Sequence, residues 1–322
     1  MKAIRVNVPG GLEVLKHEEV QTPEPAPGQV QVKVEAVGVN FIDVYQRTGF
    51  YKVPLPLTLG QEGAGIVQKT GTGVKGLKQG DRVAWAGAMG SYAEYLCIAA
   101  DRLVPIPADI STQDAAAAML QGMTAHYLAC STYPLKPGDV CLVHAAAGGV
   151  GGLLIQIALM RGARVIATVG SEVKVKLVRE YGIDDVIQYR KADVAAEVRK
   201  LTGGKLCNVV YDGVGRDTWQ SSLASTAPRG LLCLFGQASG GIGTIDPLVL
   251  SDGSKYMTRA KLADYITTPE ELAARAGQVL GWIGAGKLKL RIYQTYPLKD
   301  AADAHRDLES GTTSGKLILL PG

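Results

Sequence analysis

The sequence predicts an α/β protein in which a doubly wound parallel sheet is joined to a β-rich, barrel-like domain. Three observations carry this. Up to Ile110 the chain reads as short, valine-rich strands separated by glycine and proline. From Val140 strands and helices alternate, the pattern of a parallel sheet covered on both faces. At the first strand-to-helix junction of that alternation stands HAAAGGVGG, His144–Gly152, a glycine turn.

Each element follows from its local pattern. MKAIRVNVPG opens as a strand, and QVQVKVEAVGVN, residues 29–40, alternates and is rich in valine. GAGIVQKTG, DRVAWA, GSYAEYLCI and RLVPIP continue the strand pattern. The texture changes at Ser111, which forms a capping box with Asp114 at the head of an alanine-rich helix. After the turn PLKPGD come the strands CLVHA, RVIATV, DVIQY, NVVYDGV and GLLCLFG, with helices starting near Val150, Glu172, Ala192 and Asp217. Beyond Thr267 two helical patterns precede KLILLPG, a strand expected to return to the β-rich domain. The expected division is 1–122 and 265–322 in the β-rich part, with 123–264 between them as the nucleotide-binding part.

A chain of 322 residues, 47% hydrophobic and 20% charged, has the profile of a soluble globular protein of two domains. The net charge of +4 favours anionic ligands mildly, and no basic stripe with interleaved aromatics argues for nucleic acid. No run approaches a membrane span, and the N-terminus lacks the apolar core of a signal peptide. The five cysteines show no C-x-x-C pair, which fits reduced thiols in the cytoplasm better than a disulfide framework or a metal site.

The glycine turn is the strongest chemical signal. Gly148 and Gly151 hold the second and third positions of a dinucleotide fingerprint. Gly148 lets a pyrophosphate approach the backbone, and Gly151 lets the helix pack close to the strand. Gly149, Val150 and Gly152 complete the helix start, whose free N–H groups and positive dipole end suit phosphates. Ala146 replaces the tight-turn glycine, which alanine can do at negative φ. The bland alternative is a glycine-rich turn that only lets a helix pack.

The end of the second strand chooses the dinucleotide. An NAD site places a carboxylate there, but Thr168 and Val169 are followed by Gly170 and Ser171, with Lys174 beyond. A hydroxyl and an ammonium suit a 2′-phosphate, so NADPH is expected rather than NADH. Glu172 is the counter-argument, although a carboxylate is favoured in the first turn of any helix. Tyr189, at the end of the third strand, either covers the adenosine phosphate or is a half-buried strand tyrosine.

Together GVNFIDVYQRTGFY, GQEGAGIV, GSYAEY, AAAGGVG, YDGVGRDTW, TRAKLADYITT and SGKLIL resemble the zeta-crystallin-like NADPH:quinone oxidoreductase family of the zinc-independent medium-chain dehydrogenase/reductases. The likeness covers essentially the whole chain. It implies a Rossmann domain beside a GroES-like one and a homodimer built along the edge of the nucleotide-binding sheet. Asn40 and Gln61 stand where zinc-dependent relatives carry metal ligands, so metal chemistry is not expected.

The resemblance also assigns residues. Asn40, Asp43, Tyr45 and Tyr51 line the cleft beside the nicotinamide, with Asn40 donating to a carbonyl oxygen and the tyrosines stacking on a flat ring. Asp43 is equally readable as a cap carboxylate, and the tyrosines as packing. Thr124 touches the nicotinamide ribose or ring. Gly213 and Val214 of DGVG, and Phe235, Gly236 and Gln237 of FGQASG, hold the nicotinamide amide at the carboxyl edge of the sheet. Thr258 and Arg259 complete the nucleotide site. Lys316 reaches the cofactor, against its bland reading as a solvated surface lysine.

No Ser/His/Asp constellation stands out in the sequence. His144 reads as a packing histidine and His305, in a polar helix, as solvated. Cys130 and Cys141 read as structural. The expected activity is NADPH-dependent reduction of a quinone, with the cofactor supplying the reactive atom. The alternatives are an NADPH-dependent alkenal or enone reductase, with Tyr51 as proton donor, and a non-enzymatic protein that binds NADPH and RNA.

Overall fold

The computed structural model describes all residues, Met1–Gly322, which form two compact units: Met1–Met123 with Tyr265–Gly322, and Thr124–Asp264. No helix is long and apolar enough to cross a membrane.

The first unit is β-rich. Its strands are β1 (Lys2–Val6), β2 (Lys16–Glu19), β3 (Gln29–Val39), β4 (Leu57–Thr58), β5 (Glu62–Thr70), β6 (Arg82–Ala86), β7 (Tyr95–Ala99) and β8 (Val104–Pro105), with a short helix α1 (Phe41–Arg47) after β3. Valines at 30, 32 and 34 alternate along β3, where branched side chains fit a pleated surface and are buried, and Val37 and Val39 carry the strand past the register shift between Val34 and Ala36. They pack with Val83, Trp85, Leu317 and Leu319 in one core.

The strands form a three-stranded sheet, β2-β1-β4, and a larger sheet in which β3 pairs with both β5 and β7. The expected barrel does not close: the path through the larger sheet ends at β8 on one side and at a strand from the far end of the chain on the other. At the predicted cap the Ser111 hydroxyl accepts the Asp114 N–H at 3.0 Å and donates to the Asp114 carboxylate at 2.7 Å, at the head of α2 (Thr112–Tyr127); the carboxylate is thus turned to the hydroxyl and not to the Ser111 N–H of a full capping box.

The second unit is a six-stranded parallel sheet of β9 (Val140–Val143), β10 (Arg164–Val169), β11 (Val186–Gln188), β12 (Cys207–Asp212), β13 (Thr226–Leu234) and β14 (Tyr256–Thr258). Helices α3 (Gly149–Met160), α4 (Glu172–Glu180), α5 (Val194–Leu201) and α6 (Trp219–Ser225) connect the strands. The order β11-β10-β9-β12-β13-β14 is that of a doubly wound sheet, whose switch point lies between β9 and β12. α5 and α6 start at Val194 and Trp219, each two residues past the expected Ala192 and Asp217; the Asp193 carboxylate caps α5 by accepting the Ala196 N–H, whereas Thr218 at the head of α6 makes no side-chain cap bond.

The chain then returns to the first unit. Thr268 and Glu271 form a capping box on α7 (Pro269–Gly284), and β15 (Ile292–Pro297) and α8 (Ala301–Glu309) lead to β16 (Lys316–Leu320). β16 lies antiparallel to β3, with Leu317 opposite Val39 and Ile318 opposite Gly38. That register sets Lys316 beside Asn40.

Candidate active site

The glycine turn sits at the carboxyl end of β9, beside the switch point. The left-handed residue is Ala145, at φ +50°, and not Ala146. A turn that bends one residue earlier has no need of glycine at 146. Gly151 is required by contact: a Cβ there would lie 2.3 Å from the Ala145 carbonyl oxygen and 2.9 Å from the Ala146 Cα. The first intrahelical backbone bond of α3 comes from Gly152, to Gly148 at 2.8 Å, so the N–H groups of Gly149, Val150 and Gly151 have no backbone acceptor. This cradle fits a pyrophosphate.

The ends of β10 and β11 supply the rest of a nucleotide site. Tyr189 N–H bonds the Val169 carbonyl at 3.2 Å, which sets its ring against Gly170; a Cβ there would lie 2.9 Å from the Tyr189 hydroxyl. Ser171 is the N-cap of α4, yet its hydroxyl makes no cap bond. Lys174 follows in the first turn. Burial, and next the charge of Arg190, hold its pKa below the ordinary lysine value. Arg190 lies 6.0 Å from the centre of the Tyr189 ring. Glu172, the residue that argued for NAD, accepts from the Gln188 amide at 2.6 Å. Two cations and a hydroxyl therefore lie at the ends of β10 and β11, a donor set whose chemistry suits a phosphate. Arg190 was not visible as a site residue in the sequence, since its place depends on the pairing of β10 with β11.

The loops after β12 and β13 are tied to each other. The Ala238 N–H bonds the Gly213 carbonyl at 3.2 Å and the Ser239 N–H bonds the Val214 carbonyl at 2.9 Å. Phe235 N–H bonds the Asp212 carbonyl at 2.9 Å. Gly236, Gln237, Thr258 and Arg259 line a common cavity of about 440 Å³ with Leu234 and Met257. Thr168 and Thr124 are both buried, and the Thr168 hydroxyl is bonded to His144 at 3.0 Å.

In the first unit, Asn40, Glu62, Gln121 and Lys316 form one buried cluster. Lys316 is a buried cation and not a solvated lysine: its Nζ donates to Glu62 Oε2, and to Asn40 Oδ1 at 2.8 Å. Asn40 Nδ2 donates to Glu62 Oε2 at 2.8 Å and to the Gly38 carbonyl at 3.1 Å, while Gln121 Nε2 donates to Asn40 Oδ1 at 3.2 Å. Both Asn40 amide hydrogens are thus engaged within the protein, and donation to a carbonyl oxygen would break one of these bonds. Gly38 leaves the room: a Cβ there would lie 2.1 Å from Glu62 Oε2.

Asp43 is the cap carboxylate of α1, fully buried, receiving the Asn40 N–H at 2.8 Å and the Tyr92 hydroxyl at 3.0 Å on Oδ2. His305 is buried too, a correction to its solvated reading. The sequence misled because α8 is polar in itself; Tyr92 and Arg47, distant in sequence, cover the ring. Arg47 donates to His305 Nδ1 at 3.1 Å and pairs with Glu309 at 2.7 Å. Since Arg can only donate, His305 carries its proton on Nε2, which faces Tyr92 Oη at 3.0 Å.

Burial pushes Asp43 up to about 7 and His305 down to about 3. Their contributions to stability oppose each other. Folded Asp43 keeps a proton that the unfolded chain loses above the ordinary carboxyl value of 3.8, so its contribution falls as pH rises from there to about 7. Folded His305 refuses a proton that the unfolded chain takes below 6.5, so its contribution falls as pH drops from there towards 3. Each slope is about 1.4 kcal/mol per pH unit, and between roughly pH 4 and 6.5 they cancel. Asp43→Asn is expected to leave the His305 slope alone and to lose about 1.4 kcal/mol per unit on acidification in that window. Urea midpoints at several pH values would read this; a flat profile in the variant contradicts the assignment.

Tyr45 and Tyr51 stand 5.3 Å apart in an aromatic group with Phe41 and Phe50. Phe50 is 54% and Tyr51 36% exposed, so the group presents apolar surface, with the Tyr45 and Tyr51 rings edge-on to each other at 68°. No group of three or more His, Cys, Asp or Glu side chains is placed to hold a metal ion. A Ser/His/Asp set does exist, contrary to expectation: Ser222 bridges His144 and Asp212, all three buried in the second unit.

Two family models match, the alcohol dehydrogenase GroES-like domain over residues 26–108 and the zinc-binding dehydrogenase over 149–268. A quinone oxidoreductase of Pseudomonas aeruginosa is 46% identical, covering 99% of both chains. The crystal structure of Escherichia coli quinone oxidoreductase complexed with NADPH superposes over 100% of both chains at a TM-score of 0.97, with 44% identity. A 2-haloacrylate reductase of a Burkholderia species is 38% identical, over 97% of this chain and 96% of its own. With whole-length identity at this level and the doubly wound order of the second sheet, the chain belongs to the quinone oxidoreductase family of the medium-chain dehydrogenase/reductases.

Proposed function

We propose that this chain is an NADPH-dependent quinone reductase that works without a metal. The observation that carries the reading is the nucleotide site: α3 N–H groups without backbone acceptors beside Ser171, Lys174 and Arg190. When bound, NADPH supplies the reducing equivalents. Gly149, Val150 and Gly151 hold its pyrophosphate through main-chain N–H groups, and Lys174 and Arg190 neutralise the 2′-phosphate. Gly236, Gln237, Thr258 and Arg259 receive the nicotinamide end. One ring of the edge-on Tyr45–Tyr51 pair stacks on the acceptor ring, and a hydroxyl of the pair donates to its carbonyl oxygen. The part of Asn40 and Asp43 is to set the start of α1, and with it the position of Tyr45. Protons for the quinol come from water.

A quinone needs orientation more than acid catalysis, which suits a site whose acidic and basic groups are buried and paired. Similarity to the P. aeruginosa and E. coli enzymes supports this acceptor. Similarity to the 2-haloacrylate reductase favours a second reading, reduction of a conjugated double bond with Tyr51 donating the proton. Turnover of NADPH with 1,4-benzoquinone but not with 2-cyclohexenone is expected, and the reverse result supports the second reading. In the same assay Lys174→Ala should raise the KM for NADPH about ten- to a hundredfold and leave NADH nearly unmoved, the cost of one lost bond to a charged group. Equal losses with both cofactors would show that Lys174 does not face the 2′-phosphate.

The reading includes a cytoplasmic homodimer. Five free cysteines support the compartment. The open edge at β14, where Tyr256 is exposed, supports pairing along that side of the sheet.

A further inference from the structure

The Ser/His/Asp set in the second unit does not have the wiring of a nucleophile and its base. Asp212 Oδ1 accepts the N–H groups of Val214 at 2.8 Å and Gly215 at 3.0 Å. Asp212 Oδ2 accepts the hydroxyls of Thr218 and Ser222, each at 2.7 Å. A carboxylate surrounded by donors accepts at both oxygens, so the Ser222 hydrogen points at Asp212. The Ser222 oxygen lies 3.0 Å from His144 Nε2, and it has only lone pairs left to offer there. The proton of the imidazole therefore sits on Nε2, and Nδ1, 3.0 Å from the Thr168 hydroxyl, accepts. A serine whose hydrogen is spent on the aspartate, inside a fully buried group, attacks nothing.

What the chain of bonds connects is more telling. His144 follows β9 and precedes the glycine turn. Thr168 lies near the end of β10, and its carbonyl receives the Ala146 N–H at 3.0 Å. Asp212 ends β12 and carries the DGVG loop. The four side chains thus tie together the carboxyl ends of the three strands around the switch point.

We propose that His144 is a positioning residue of the nucleotide site, holding the glycine turn and the DGVG loop in register through a one-way chain of hydrogen bonds, Thr168 to His144 to Ser222 to Asp212. This rests on the reading that the turn binds NADPH. Burial lowers the pKa of His144 while Asp212 opposes this, and the neutral ring is the form that can accept from Thr168. Reversing the chain would give up the bond from Ser222 to Asp212, so the direction Thr168 to Asp212 is the one that keeps every link.

Two measurements test this on the intact protein. Nitrogen-15 NMR of the histidine rings, with His144 assigned by its loss in His144→Asn, should show the Nε2–H tautomer. An Nδ1–H tautomer or an imidazolium at neutral pH overturns the wiring. Ser222→Ala should raise the Kd for NADPH about tenfold, as expected for one lost buried hydrogen bond that positions the loops. A purely structural serine would lower the melting temperature and leave the Kd alone, and that result overturns the positioning role. Wild-type protein that binds no NADPH overturns that role and the proposed function together. Wild-type binding with an unmoved Ser222→Ala Kd overturns the positioning role only.

Discussion

Replacing Lys316 with methionine is expected to destabilise the β-rich unit by about 3–5 kcal/mol. Glu62 is fully buried, and Lys316 is the cation that meets it. Methionine keeps much of the volume but leaves a carboxylate in the interior with only the Asn40 amide and the Leu120 N–H as donors. The pair as a whole is worth far less than either half. Lys316→Met combined with Glu62→Met is expected to recover most of the loss, because two buried charges disappear together. Urea unfolding of the two single variants and the double variant gives the coupling directly. A mild Lys316→Met, within about 1 kcal/mol of wild type, would contradict a desolvated pair.

The second large effect is expected at Gly151. Alanine there places its Cβ 2.3 Å from the Ala145 carbonyl, a backbone atom that cannot rotate away. Relief requires the turn to lift from α3, at a strain of about 1–3 kcal/mol. The same movement displaces the N–H groups proposed to hold the pyrophosphate. Gly151→Ala should weaken NADPH binding by about ten- to a hundredfold. Gly152→Ala is the control, since its Cβ meets nothing closer than the Ala146 carbonyl at 3.7 Å. Fluorescence titration of NADPH separates the two. Equal behaviour of both variants would remove the turn from the binding site.

Much of this architecture is written in local patterns. Alternating valines specify β3, near-continuous apolar runs specify β9, β10 and β12, and caps at Ser111 and Thr268 mark helix starts. The glycine turn is legible for the same reason: its chemistry lies within a few consecutive residues. The polar clusters were not legible in this way. Lys316 meets Asn40 across 276 residues, and only the pairing of β16 with β3 makes them neighbours. His305 looked solvated because its own helix is polar. The Ser222–His144–Asp212 set was hidden because α6, the end of β12 and the turn after β9 supply one residue each, with His144 and Ser222 78 residues apart. Ala145 was hidden because backbone geometry, and not side-chain type, decides which residue of an alanine run bends.

The wiring of Glu62 has a consequence for how the chain is made. Its counter-ion lies 254 residues further along. At a synthesis rate of about 5–20 residues per second, Glu62 leaves the ribosome roughly ten to fifty seconds before Lys316 exists. During that interval β3 and β5 can pair, but the carboxylate between them has no ammonium to bury against. The β-rich unit is therefore expected to stay open at this strand through most of translation, and to close only when β16 arrives with its charge.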